Sequence, residues 1–177
     1  MKSNRANPGR VAAARALVRI ETGGHAEKLL AELAPDAGAD RRLAWHLVYG
    51  VLRNRATIDA SLKPYLRQPL TGLEPEVCAA LRIGAFEKLL ANTKPHAAVD
   101  QAVEVVKRHG RQRAKGLVNA IVRRASIPKN MKRSDRLNHP DWLIERWDDR
   151  YDANSVDEWC NRNNRQPELF AVTKGDD

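Results

Sequence analysis

An all-α bundle is the fold this 177-residue sequence predicts, on three observations. Apolar residues recur every three or four positions through nearly all of residues 1–136, which is the stripe of an amphipathic helix. No sustained period-two alternation interrupts them. Prolines and glycines cut the pattern into helix-length pieces with short connections, an arrangement that favours near-antiparallel neighbours.

The elements follow in order. Val11, Ala14, Leu17 and Val18 mark a first helix, with Pro8 in its first turn, where the missing N–H costs nothing, and Gly23-Gly24 as its stop. A short helix over about 26–34 ends at Pro35. Asp40 is placed to cap the next, whose face is Leu43, Leu47, Val48, Val51 and Leu52. Ile58, Leu62 and Leu66 give another, broken or kinked at Pro64 and ended by Pro69. After a turn at Thr71–Pro75, Val77, Leu81, Ala85 and Leu89 repeat every four residues. Val99, Ala102, Val103 and Val106 follow a Lys94-Pro95 start, and Leu117, Val118, Ile121, Val122 and Ala125 form the last helix of this part. Beyond it, Trp142, Leu143, Ile144 and Trp147 suggest one helix and Val156, Trp159 and Cys160 another, with three indoles expected to find burial. Residues 169–173, Leu-Phe-Ala-Val-Thr, are the one strand candidate, with no partner strand in the chain, as at the leading edge of a further domain.

Composition excludes several classes of function. Two distant cysteines, Cys78 and Cys160, supply neither a disulfide framework nor a zinc site. No apolar run approaches the ~20 residues of a membrane span, and the polar N-terminus does not read as a secretory signal, so a cytoplasmic protein without a membrane partner is expected. The formal charge is +9, unevenly spread: residues 1–136 hold 26 Lys+Arg against 12 Asp+Glu, and residues 137–177 hold 5 against 10. That contrast divides the chain into a basic domain at 1–126, a polar linker at 127–138 and a tail at 139–177.

The cations cluster. Arg5 and Arg10 lie at the positive end of the first helix, and Arg15 and Arg19 share one of its faces, an arrangement suited to a phosphate ligand. Arg53 and Arg55 follow Tyr49-Gly50. Lys107, Arg108, Arg111, Arg113 and Lys115 surround Gly110 between two helices, and Arg123 and Arg124 lie two turns further on. Such a surface binds RNA or DNA chiefly through phosphates, although a merely solvated basic face has the same composition. Of the aromatic residues in the basic part, Trp45, Tyr65 and Phe86 read as packing and Tyr49 as a candidate platform for an unpaired base. The five histidines are isolated, Cys78 lies on an apolar stripe, and no glycine-rich nucleotide loop occurs, so no catalytic residue, cofactor or metal is assigned.

Taken together, the pieces form an ordered series. Arg10-x-x-Ala13-x-x-Ala16-Leu17 precedes Tyr49-Gly50-Val51-Leu52-Arg53 and Ile58-Asp59. Leu81-Arg82-Ile83-Gly84-Ala85-Phe86-Glu87, Pro95-x-x-Ala98-Val99-x-x-Ala102-Val103-Glu104 and Lys115-Gly116-Leu117-Val118-Asn119-Ala120-Ile121-Val122-Arg123 complete it. Over residues 8–126 this resembles the NusB family of helical RNA-binding domains. Within the family it is most similar to the N-terminal domain of the RsmB (Sun, Fmu) ribosomal RNA cytosine-5 methyltransferases. The tail, with His139-Pro140-x-Trp142-Leu143-Ile144-x-Arg146-Trp147 and Asn161-Arg162-Asn163-Asn164-Arg165-Gln166-Pro167, resembles the connector to their catalytic module; Glu168 stands where a second proline is common.

The resemblance implies two three-helix subdomains followed by a short, mostly helical tail. It implies RNA as ligand, ribosomal RNA first, met at the arginine-rich N-terminus that Arg10 matches. The S-adenosylmethionine loop and cysteine pair of the catalytic module have no counterpart in these 177 residues. The expected function is therefore RNA targeting for a methyltransferase module supplied by a separate domain. The alternative is a NusB-type antitermination factor acting on leader RNA with a ribosomal protein; a protein-interaction bundle without an RNA role is a third reading.

Overall fold

A computed structural model describes residues 6–167, all its regular elements being helical. Arg5 and the strand candidate at 169–173 lie outside the described residues. Helix α1 (Pro8–Ile20) opens with proline in its first turn, and the side chain of Asn7 caps it by accepting from the Arg10 N–H at 3.3 Å. Then come α2 (Ala26–Leu33), α3 (Gly38–Arg53) and α4 (Arg55–Leu62). At Pro64 the helix breaks: α4 ends at Leu62, a 3-10 turn, Lys63–Tyr65, follows, and Leu66 lies outside both. Helices α5 (Pro75–Leu89), α6 (Pro95–Arg108) and α7 (Lys115–Arg124) complete the basic part. Gly110, at φ +76°, makes the sharp turn between α6 and α7 that a side chain would strain.

Two three-helix units result: α1 packs on α2 and α3, and α5, α6 and α7 pack on one another. Helix α1 also crosses α5, and α4 lies against α5, so α5 is the shared centre. Every residue from Val77 to Glu87 is buried, as an α-helix enclosed on all sides requires. Two glycines set the distances of approach. A Cβ on Gly84 would lie 2.8 Å from the Ala102 Cβ, and one on Gly50 would collide with the Phe86 ring, so α6 and α3 close onto α5 only with glycine there.

Three expectations are corrected, and one stretch carries a helix that its composition did not announce. Asp40 does not cap α3, which starts two residues earlier at Gly38; its carboxylate instead accepts from Asn7 Nδ2 at 2.7 Å, tying α3 to the start of α1. Leu117 is 42% exposed, because the buried face of α7 is Val118, Ile121 and Val122 and residue 117 points about 100° away. The stretch 127–138, read as a polar linker, contains a helix, α8 (Arg133–Leu137). It forms because α4 offers it partners: Thr57 Oγ1 donates to the Asp135 carbonyl at 2.8 Å, and the Thr57 N–H donates to the side chain of Asn138 at 3.0 Å. Finally, Trp142 is 62% exposed; only Trp147 and Trp159 pack on the second, small core of Leu137, Ile144, Val156 and Cys160. That core joins α8, α9 (Asp141–Asp148) and α10 (Ala153–Asn163).

Candidate nucleic-acid interface

Among the basic residues singled out from sequence, ion pairing separates two groups. Arg10 binds Glu87 through one edge of its guanidinium, Nε to Oε2 at 3.0 Å and Nη2 to Oε1 at 2.6 Å, with the Glu87 side chain 2% exposed. It ties α1 to α5 and does not stand free for an anion. Arg19 pairs with Glu32, Arg55 with Glu21, and Lys107 with Glu104. Arg111 pairs with Glu74 and Glu76, and its guanidinium holds the Glu76 carboxyl below its ordinary range although partial burial pulls the other way. No such pair involves Arg15, Arg53, Arg108, Arg113, Lys115, Arg123 or Arg124 among the described residues, and all of these except half-buried Arg53 are exposed.

Five of the free cations collect around α6 and α7. Lys115, Asn119 and Arg123 are spaced by four along α7, so they form one outward ridge opposite Val118, Ile121 and Val122. Two adjoining clefts of about 350 Å³ run along it, sharing Asn119 and Asp100; Lys107 and Lys115 line the first, and Arg123, His96 and Lys88 the second. Arg108 and Arg113 flank the turn that joins the two helices. At the far end, Arg124 stacks over Tyr65 at 4.9 Å. Lys88 organises this end from beneath: its ammonium donates to the carbonyls of Val122, Arg123 and Ala125 at 3.0, 2.6 and 2.8 Å, satisfying acceptors that a helix terminus leaves open. Partial burial lowers its pKa, and the three carbonyls accept the charge locally. No sequence pattern singled out Lys88.

Sequence reasoning also missed a ridge on α3. Arg41, Trp45, Tyr49 and Arg53 follow one another at intervals of four and alternate cation, ring, ring, cation. The Arg41 guanidinium lies 5.9 Å from the Trp45 ring centre, the two rings are 5.8 Å apart, and the Arg53 guanidinium lies 5.7 Å from the Tyr49 ring. Together with Arg42, His46 and Gln166 they line a cleft of about 500 Å³. Tyr49, singled out from sequence, is thus joined by Trp45, which had been assigned to packing; the four-residue spacing was the available signal. Phe86 is buried, as expected.

The remaining chemistry-bearing groups are structural. Arg82 is buried between α4 and α1, donating Nε and Nη2 to the two oxygens of Asp59 at 2.8 Å each and Nη1 to Glu21 at 2.9 Å. Burial opposes its charge, but the Asp59 bonds and the field of both carboxylates raise its pKa above the ordinary value. Cys78 and Cys160 are buried free thiols whose pKa burial pushes up, which leaves them unreactive. No cluster of potential metal ligands, and no helix long and apolar enough to cross a membrane, occurs among the described residues.

Comparison with known proteins agrees with this architecture. The NusB family model matches residues 7–126. Ribosomal RNA small subunit methyltransferase B of Sodalis glossinidius is 31% identical over 173 residues, covering 91% of this chain and 39% of that protein. The transcription antitermination protein NusB of Xanthomonas axonopodis pv. citri is 34% identical over 110 residues, covering 60% of this chain and 69% of its own. In three dimensions the chain resembles NusB of T. maritima, with a TM-score of 0.60 at 24% identity over 69% of this chain and 89% of that one. The chain spans less than two fifths of the length of the curated methyltransferases it matches. The α1–α7 bundle and the family match cover the same residues, and on both grounds the chain belongs to the NusB family.

Proposed function

We propose that this chain is an RNA-binding domain that targets ribosomal RNA for an RsmB-type cytosine-5 methyltransferase module, the chemistry of methyl transfer being supplied outside these 177 residues. The observation that carries the reading is the α7 ridge: Lys115 and Arg123, two turns apart and unpaired among the described residues, with the amide of Asn119 between them. Asp100 and Glu104 line the same clefts, but no carboxylate forms an ion pair with Lys115 or Arg123 among the described residues. Cations left unpaired on a helix release counterions when they meet phosphates, and that release drives sequence-independent RNA affinity. Base recognition is then a separate requirement, met by groups that reach unstacked bases. Linkage of such a domain to a catalytic module raises the local concentration of the module at its RNA.

The antitermination alternative is supported by the similarity to the Xanthomonas protein, which covers 60% of this chain. The methyltransferase reading is favoured because similarity to the Sodalis enzyme extends over 91% of the chain and because α8 is hydrogen-bonded to α4. The test is binding of a structured ribosomal RNA fragment across a salt series. The Lys115→Glu/Arg123→Glu variant is expected to bind at least ten-fold more weakly at low salt. The slope of log affinity against log salt should fall by about 0.7 for each single-strand phosphate that the variant no longer neutralises. Unchanged affinity and slope would remove the α7 ridge from the interface. Arg10 variants are unsuitable here, since they unpair buried Glu87.

A further inference from the structure

The α3 cleft is distinct from the α7 ridge and has a different chemistry. Its walls are two flat rings and three guanidinium groups, with His46 and Gln166 at the margins and no carboxylate among the lining residues. Trp45 and Tyr49 pack one side against the bundle core and remain half-buried, so each keeps accessible ring surface. The Trp45 indole N–H is buried and has no acceptor among the described residues, an uncommon condition for a group that normally finds a partner. Arg41 and Arg53 flank the rings, and exposed Arg42 stands beside them without an ion pair among the described residues. A cleft of about 920 Å³ between α4 and the tail is mixed in charge, with Asp59, Asp135 and Asp141 set beside Arg55, Lys63 and Arg67, and it carries no pair of stacked rings.

We propose that the α3 cleft is a subsite for unpaired nucleotides: a base stacks on the Trp45–Tyr49 face while Arg42 and Arg53 take the flanking phosphates. The inference rests on the RNA-binding reading above and adds a subsite to it. Stacking is tolerant of sequence because every base has a π-face, and guanidinium groups contribute both to stacking and to phosphate contact. The cleft therefore discriminates between single-stranded and double-stranded RNA, since a duplex keeps its base faces covered. An acidic peptide would meet the cations equally well but would make no use of the paired rings.

The experiment compares the full chain with Tyr49→Leu, Trp45→Leu and Arg42→Gln variants, each first shown to keep its helical circular dichroism and thermal midpoint. Arg42→Gln removes an exposed side chain and guards against loss through misfolding. The probes are a single-stranded RNA decamer and a blunt RNA duplex of the same length. Each ring variant is expected to lose about 5- to 100-fold in decamer affinity, the range of a single base stack, with duplex affinity unchanged. A decamer carrying 4-thiouridine should crosslink to Trp45 or Tyr49. Equal decamer affinity in all variants, with the unaltered chain still binding both RNAs, overturns the subsite and leaves the α7 interface standing. Failure of the unaltered chain to bind either RNA overturns the RNA-binding reading itself. A matching response of Trp45 fluorescence to polyglutamate assigns the cleft to acidic peptides and also overturns the proposal.

Discussion

Two regions of this molecule are rich in arginine and use it in opposite ways. Between α1, α4 and α5, Arg10 and Arg82 are enclosed and each grips a carboxylate with two parallel hydrogen bonds. On the outer ridge of α3, Arg41 and Arg53 lie over aromatic rings, and Arg42 faces solvent. What differs is the position of the acids: Glu87, Asp59 and Glu21 face the interior arginines, and the α3 cleft has no carboxylate among its lining residues. A high count of arginines therefore does not locate a polyanion-binding face. The carboxylates do, by cancelling some cations and leaving others.

Breaking the interior pairs should produce the largest effects. Arg10→Ala leaves Glu87, whose side chain is 2% exposed, as a buried charge without its partner, and is expected to cost about 3–5 kcal/mol. Replacing both members, Arg10→Met with Glu87→Leu, should recover most of that loss, because an apolar pair of similar volume needs no charge compensation. Urea unfolding of the three proteins checks this; a single variant as stable as the parent would mean that the pair contributes nothing to α1–α5 docking. Arg82→Ala should cost less, about 1.5–3 kcal/mol. Asp59 and Glu21 are partly open to water, and Arg55 stays within 2.8 Å of Glu21 and 3.9 Å of Asp59. A loss equal to that of Arg10→Ala would contradict the role given to Arg55.

The same contrast explains what could be read from the sequence. Helices α1 to α7 were legible because each carries local apolar periodicity, and the stop before Pro35 and the start at Pro95 are local chemistry. The fate of a charged residue is not local. Glu87 lies 77 positions from Arg10, and nothing in the spacing of either says that they meet. Helix α8 was hidden for the same reason: five residues carry too little periodicity, and its partner Thr57 lies 78 positions from Asp135. The α3 ridge was legible in principle, since Arg41, Trp45, Tyr49 and Arg53 repeat every four residues. It went unread because Trp45 is flanked by apolar positions, and a half-buried ring satisfies core and cleft at once. Leu117 is the converse, an apolar residue beside a buried stripe that packing leaves outside.

The tail sharpens the comparison with the smallest expected effect. Its apolar core is four buried residues, so charge carries a larger share of its closure than in the α1–α7 bundle. Arg133 Nε donates to Asp157 at 2.8 Å, its two terminal nitrogens donate to Asp148 at 2.6 and 3.0 Å, and Arg136 reaches Asp157 at 2.6 Å. Partial burial would raise the Asp157 carboxyl, but the bonds from Arg136 and Arg133 prevail and hold it below its ordinary value of 3.8. A carboxyl depressed in the folded state contributes stability that is present above its unfolded pKa and is lost as pH falls through the folded one. Acidification below about pH 4 should therefore loosen the packing of α8–α10. Amide exchange resolves the two regions, with α10 losing protection first. Asp157→Asn should cost about 1 kcal/mol at neutral pH, modest because these groups are partly solvated, and should flatten the acid dependence of α10 exchange. An unaltered acid profile in that variant would assign tail closure to Leu137, Ile144, Val156 and Cys160 alone.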